Sequence, residues 1–207
     1  MTSGNQESGL IGERVRRAWP GAPPALWEGW NAIEQHYELL CKWNAKVNLV
    51  GTSTLASAAE KHYGESLFLA AQLRDGVQTV IDCGSGAGFP GFPFAVLRPD
   101  VQVTLLEADR RKAAFLRESC LLSNVRVRVE RLEQLEERPD AVITRAVDPR
   151  FVMAWGREHA TRFGFIGSTA DVESLAADPA LGSVLKAALP WRAHSSILWA
   201  TFHVKRP

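Results

Sequence analysis

The residues whose types and spacing speak most directly of chemistry lie between Val80 and Gly91. There the chain reads Val80-Ile81-Asp82-Cys83-Gly84-Ser85-Gly86-Ala87-Gly88-Phe89-Pro90-Gly91. A short apolar run ends in an acid, passes through alternating glycines and enters a helical stretch. Glycine adopts positive φ without strain and lets another molecule approach the main chain closely. N–H groups at the start of a following helix, with the helix dipole behind them, attract an anionic group. Glu107 closes the next apolar run, where a carboxylate accepts hydrogen bonds from both hydroxyls of a ribose. Three glycines at alternate positions, with acids at both run ends, exceed what a plain strand-to-helix turn requires. The segment reads as a nucleoside-binding loop.

Two nucleoside ligands fit such a loop. Gly86 to Gly91 satisfies G-x-G-x-x-G, which on its own is a weak indicator of a nicotinamide dinucleotide. Two features favour S-adenosylmethionine instead. Asp82 would set a negative charge near a pyrophosphate but suits an ammonium and a sulfonium, and Pro90 removes an N–H where a pyrophosphate needs donors. Cys83 beside the loop reads as a small strand residue, with nothing basic nearby to activate a thiolate. His62 reads more readily as a hydrogen-bonded helix-end residue than as a catalyst. Asn44 is either a buried polar link or a ligand contact.

The elements that must position these groups follow from periodicity. Residues 1 to about 20 are polar and basic (Arg14, Arg16, Arg17) and suggest a loose arm or short helix. From Pro24 the apolar residues Leu26, Trp30, Ile33, Tyr37 and Leu40 recur at steps of four and three, the stripe of an amphipathic helix with Pro24 in its first turn. A second helical stretch is predicted from about Ser53 to Leu73, broken or turned near Gly64. Strands are predicted at Val77 to Cys83, Val101 to Leu106, Val125 to Val129, Ala141 to Thr144 and Phe163 to Ile166. A helix capped by Asp109 runs to Leu122, and Val184 to Leu189 with Ile197 to Val204 form a terminal antiparallel pair. Strands alternating with helices imply a largely parallel sheet covered on both faces.

Bulk properties bound the function. The 207 residues are 46% hydrophobic and 23% charged, ordinary globular usage, and the formal net charge of +1 excludes a general polyanion binder. Nucleic-acid contact would have to come from local basic groups: Arg14, Arg16 and Arg17, Lys42 and Lys46, Arg110 to Lys112, Arg145 and Arg150. Three scattered cysteines form neither a disulfide framework nor a metal-ligand spacing, so no metal is expected and a reducing compartment is. Without a signal-type start or a run of ~18 apolar residues, the expectation is a cytoplasmic protein that does not span a membrane.

Further segments carry a family resemblance. The run Asp82 to Pro93, Leu105-Leu106-Glu107, Arg111-Lys112 with Phe115-Leu116, and Thr144-Arg145-Ala146 resemble the bacterial small-subunit ribosomal RNA guanine-N7 methyltransferases, also called glucose-inhibited division protein B. Lys42-Trp43-Asn44 followed by Asn48-Leu49 is similar to that family's N-terminal helix signature. His62 with Glu65-Ser66 matches its His-x-x-Asp-Ser element, with Glu in place of Asp. The resemblance covers residues 38–150. It implies a Rossmann-like class I methyltransferase fold: a mostly parallel seven-stranded sheet with helices on both faces and a helical extension (1–75) before the core (76–207), in one domain. It also implies S-adenosylmethionine as cofactor, a guanine in the 530 loop of 16S ribosomal RNA as acceptor, the small ribosomal subunit as partner, and a monomer. Position by position, Gly84, Gly86 and Gly88 would line the methionine end, with Asp82 and Phe89 also binding the cofactor. Glu107 would hold the ribose, Leu132-Glu133 would lie against the adenine, and Arg145 would sit between cofactor and RNA. Ile166-Gly167 stands where the family usually has Lys-Gly, and Val147 to Arg150 also diverges.

Such a site would need little acid–base chemistry. N7 of guanine has a free lone pair and no proton to lose, so alignment of nitrogen, methyl carbon and sulfur is the main task, worth up to ~7–11 kcal/mol. Arg145 is expected to orient the base or a phosphate, and Phe89 or Trp43 could receive an unstacked base, although packing is the simpler role for both. Two other functions remain in contention. One is an oxidoreductase using a nicotinamide dinucleotide. The other is a catalytically silent RNA-binding or ribosome-assembly protein, which the Ile166 departure keeps in play.

Overall fold

The computed structural model describes residues 4–51 and 55–203. Helix α1 (Gly4–Ala18) and a 3₁₀ turn (Pro24–Trp27) precede α2 (Trp30–Asn44). A π-helical turn (Ala59–Gly64) runs into α3 (Glu65–Ala71). The core follows as β1 (Thr79–Cys83), α4 (Gly91–Leu97), β2 (Gln102–Leu106), α5 (Arg110–Ser119), β3 (Val125–Arg128) and β4 (Ala141–Thr144). Then come α6 (Pro149–His159), β5 (Arg162–Ser168), α7 (Thr169–Ala176), β6 (Leu181–Ala188) and β7 (Ser195–Phe202).

The strands form one sheet in the order β3-β2-β1-β4-β5-β7-β6. The first five are parallel, and β7 inserts antiparallel between β5 and β6. The fold class is as expected, a largely parallel seven-stranded sheet with helices on both faces and helical residues ahead of it. Dinucleotide folds instead continue in parallel order after the fifth strand, so the antiparallel insertion weighs against an oxidoreductase.

Alternation along each strand explains the two cores. Val80, Leu105, Ile143 and Trp199 face one side and pack with α1 to α5. Their neighbours Ile81, Leu106, Val142 and Leu198 face the other and pack with α6 and α7. Asp82, two residues after Val80, therefore points toward the N-terminal helices, and Cys83 points the other way.

Several local expectations change. The basic arm is a helix whose inner face buries Ile11 and Val15. The stripe from Pro24 divides at Gly29, because the first four residues form a tighter 3₁₀ turn. No break occurs at Gly64: with φ −56° and ψ −48° it is helical, and the π turn passes directly into α3, which ends at Ala71. The predicted start at Ser53 and the end at Val204 lie outside the described residues. The Asp109 helix stops at Ser119, and its cap is as expected, with the carboxylate accepting from the N–H groups of Arg111 and Lys112. Helices α6 and α7 are additions. For α6 the signal was present in Asp148 as cap and Pro149 at the first position.

Candidate active site

The parallel strands end together. Cys83 is in register with Leu106 on one side and Thr144 on the other. Strand order reverses between β1 and β4, and the loops leaving those strand ends diverge around a crevice, the usual ligand position in open α/β sheets. Here that crevice is a cavity of about 500 Å³.

Of the sequence-predicted site residues, Gly84, Gly86, Phe89, Glu107, Leu132, Glu133 and Arg145 line this cavity. Gly84 needs its glycine: φ is +70°, and a Cβ would collide with the Val147 side chain. Glu107 holds the loop as well as facing the cavity. Its two oxygens accept from Gly86 N–H (2.9 Å) and Asp109 N–H (2.8 Å). A carboxylate has about four acceptor positions, so two remain for donors entering the cavity. Leu132 and Glu133 lie on a 3₁₀ turn after β3 and form the wall beside it, Leu132 buried and Glu133 exposed.

Two predicted residues sit elsewhere. Gly88 (φ +85°) faces His36, Phe92 and Cys120, so it permits packing behind the loop. Asp82 does not line the cavity, because strand alternation turns it inward. It is fully buried, and its Oδ2 accepts from Gly91 N–H at 3.0 Å. That bond also corrects the expectation of an open helix start, since Asp82 already occupies the first N–H of α4. Burial pushes the Asp82 carboxyl up to about 7, against the lowering effect of its hydrogen bonds, and the nearby Glu107 adds to the rise. Its charge is therefore a weak attraction for a cationic ligand.

The opposite wall is built by long-range contacts. Arg145, just past β4, has a side chain only 14% exposed and pairs through Nη2 with Glu65 at 2.6 Å. The other oxygen of Glu65 pairs with Arg192, from the turn between β6 and β7. One buried carboxylate thus anchors two guanidiniums, and Nη1 of Arg145 has no partner. His62 also lines the cavity, its ring stacked on Phe89 with centroids 4.9 Å apart at 19°. It is not hydrogen-bonded at a helix end, contrary to the sequence reading. Burial first, then the charge of Arg145, lowers its pKa to about 3, so the imidazole is neutral. Ile166 is a core residue paired with Ile197 across the sheet and makes no wall of the cavity. At this end of the sheet, Arg192 brings a cation to the Glu65 carboxylate.

Other candidates separate clearly. Asn44 is a structural link: its Oδ1 accepts from Leu49 and Val50 N–H and so holds two residues of the cavity rim. Trp43 packs edge-on against Phe115 and does not line the cavity. Cys83 lines it, but burial pushes its thiol up to about 12, leaving it inert. Arg14 pairs with Glu60, and Arg16 lies 4.0 Å from the Trp27 ring, so neither extends freely toward RNA. Lys112 reaches the cavity, and Arg111 is tied to the Lys46 carbonyl. Sequence reading missed Phe151, a partly exposed aromatic at the cavity edge, whose placement depends on α6. Among the described residues no group of His, Cys, Asp and Glu is arranged for a metal, and no helix is long and apolar enough to cross a membrane.

The sheet order, the glycine loop and the cavity-facing acid at the end of β2 define the S-adenosylmethionine-dependent methyltransferase fold, and solved structures agree. A putative O-methyltransferase from Klebsiella pneumoniae is similar with a TM-score of 0.56 and 18% identity, over 97% of this chain and 99% of that one. Magnesium protoporphyrin IX methyltransferase from Synechocystis PCC 6803, solved with bound SAM, gives a TM-score of 0.55 at 13% identity, over 81% of this chain and 97% of its own. At these identities the likeness is one of fold.

The sequence model of the family described as GidB, rRNA small subunit methyltransferase G, matches residues 30–164, and the chain belongs to that family. The Ribosomal RNA small subunit methyltransferase G of Neisseria gonorrhoeae (strain NCCP11945) is 40% identical over 139 residues, 65% of this chain and 67% of the relative. That of Gluconobacter oxydans is 39% identical over 137 residues, covering 64% and 70%. That of Rhodospirillum centenum is 46% identical over 112 residues, covering 53% and 51%. The match therefore spans about half to 70% of these relatives' lengths.

Proposed function

We propose that the protein transfers the methyl group of S-adenosylmethionine to N7 of a guanine in the 530 loop of 16S ribosomal RNA. The observation that carries it is the cavity at the sheet's switch point, bounded by the Gly84–Gly86 bend, the Glu107 carboxylate and the Leu132–Glu133 turn on one side and by Arg145 on the other. Family membership supports the substrate class. On this reading Gly84 and Gly86 take the methionine end, Glu107 takes the ribose and Leu132 packs on the adenine. When bound, the cofactor supplies an electrophilic methyl on sulfur.

The protein's own groups then do three things. The cavity walls hold donor and acceptor in line, which converts a bimolecular displacement into a positioned one. Arg145, fixed by Glu65, presents one free N–H edge to the acceptor without needing to move a proton. No general base is required, because N7 carries no hydrogen. The chain works as a single functional unit with residues 1–75 as a helical extension of the 76–207 core, acting as a monomer on the small subunit in the cytoplasm, where ribosomes assemble.

The test is incubation with labelled S-adenosylmethionine and small subunits lacking the modification, followed by mapping of the labelled base. Label at a 530-loop guanine N7 is expected. Stable RNA binding without label would instead favour a silent assembly factor, and label on other RNA or on protein would overturn the substrate.

A further inference from the structure

Among the described residues, two polar groups on the acceptor side of the cavity have no hydrogen-bond partner. Both ring nitrogens of His62 are buried and unpaired, as is Nη1 of Arg145. Leaving such groups unsatisfied is costly, and each one calls for a water, an ion or a ligand to complete its bonding. Both residues also line the same cavity.

Neither is a loosely placed side chain. His62 lies inside the π-helical turn Ala59–Gly64, where wider winding re-aims side chains relative to the α-helix that follows. Its ring is held face to face on Phe89, and Tyr63, next in the chain, packs edge-on against Phe89 as well. Arg145 is clamped by Glu65, whose second oxygen Arg192 engages, so one terminal guanidinium nitrogen is consumed while Nη1 stays buried without a partner. Arg145 lines the same cavity as His62, and burial first, then the charge of Arg145, keeps the imidazole neutral. The imidazole has a lone pair to offer.

A fixed donor beside an acceptor is complementary to O6 and N1–H of guanine. Adenine reverses both, with an amino group where guanine has O6 and a lone pair at N1. Histidine could follow that reversal by changing tautomer, but arginine has no acceptor and could not. N7 lies on the far flank of O6 from N1, so this pairing leaves the nucleophile uncovered.

We propose that His62 and Nη1 of Arg145 together read the acceptor base, Arg145 donating to O6 and His62 accepting from N1–H, so that guanine is selected while its N7 stays open to the methyl donor. This rests on the methyl-transfer reading above and specifies how the base is chosen.

The test compares wild type with His62→Phe, which keeps the aromatic stack but removes the hydrogen bond, and with His62→Asn, which restores an acceptor. Substrates are small subunits assembled with guanosine, inosine or adenosine at the mapped position. Binding of S-adenosylhomocysteine is measured alongside. Wild type is expected to use inosine, which keeps O6 and N1–H, nearly as well as guanosine. The Phe variant is expected to lose about 10–100-fold in kcat/KM on guanosine, with a narrowed preference over adenosine and S-adenosylhomocysteine affinity within about twofold. The Asn variant should recover part of that loss.

A Phe variant with wild-type kcat/KM or undiminished preference would overturn the proposal. So would loss of S-adenosylhomocysteine binding in both variants, which would place His62 on the cofactor side. If wild type itself leaves the guanosine subunits unmethylated, the failure belongs to the methyl-transfer reading.

Discussion

Asp82 makes a quantitative test of how the glycine loop is supported. Its carboxylate is buried completely, with one oxygen on Gly91 N–H and the other unpartnered. Removal from water dominates, and the folded-state pKa rises from the ordinary carboxylate value of 3.8 to about 7. The folded protein thus holds a proton over roughly three pH units in which the unfolded chain does not, a difference of about 4 kcal/mol. The direction follows from the linkage. Below about pH 4 both states are protonated and ionisation costs nothing; stability is lost as pH rises through about 7, and above that the loss is complete. Asp82→Asn keeps the shape and the carbonyl acceptor for Gly91 but has no charge to bury. Its stability relative to wild type should rise with pH, from near parity around pH 4 to a gain of a few kcal/mol at pH 8. Urea unfolding at pH 5, 6, 7 and 8 measures the difference directly. Because Asp82 does not line the cavity, S-adenosylhomocysteine affinity should change little. A variant whose advantage stays flat with pH, or that is less stable at pH 8, would refute the assignment of an ionisation penalty to this residue.

Three further substitutions probe the two walls. Gly84→Ala must adopt φ +70°, a strain of ~1–2 kcal/mol, and its methyl would also displace Val147 at the cavity wall. The thermal shift induced by S-adenosylhomocysteine should vanish, whereas Gly86→Ala, with no atom nearer than 3.8 Å, should retain part of it. Glu65→Gln leaves Arg145 and Arg192 without their shared anion. A loss of about 3–5 kcal/mol is expected for an uncompensated buried charge, together with a fall in methyl transfer. An unchanged denaturation midpoint would mean that water already solvates both guanidiniums.

Much of the molecule was legible in local spacing. Apolar runs ending in Asp82, Glu107 and Thr144 marked the strands, because a strand buried on both faces is continuous in apolar residues. The glycine run marked the loop, because backbone that bends with positive φ admits few other residues. Asp109 marked its helix, because a carboxylate two or three residues before free N–H groups satisfies them. The direction of Asp82 was also open to inference from Val80, two positions earlier on the same face. Charge alone assigns that carboxylate to a cationic ligand, whereas strand alternation turns it into the core.

Other features have no local signature. Glu65 meets Arg145 and Arg192 across 80 and 127 residues of chain, and nothing near any of the three records the others. The orphaned nitrogens of His62 exist only because the π turn, Phe89 and Arg145 converge, and the sequence reading of a satisfied helix-end histidine was reasonable without them. The insertion of β7 between β5 and β6, which brings the Arg192 turn to the site, is likewise a pairing between distant strands. Residue type and spacing record what each short segment can do with its own backbone. Which donors and charges end up lining one cavity depends on contacts that form only when the whole sheet closes, and those contacts decided the wall where Glu65 meets Arg145 and Arg192.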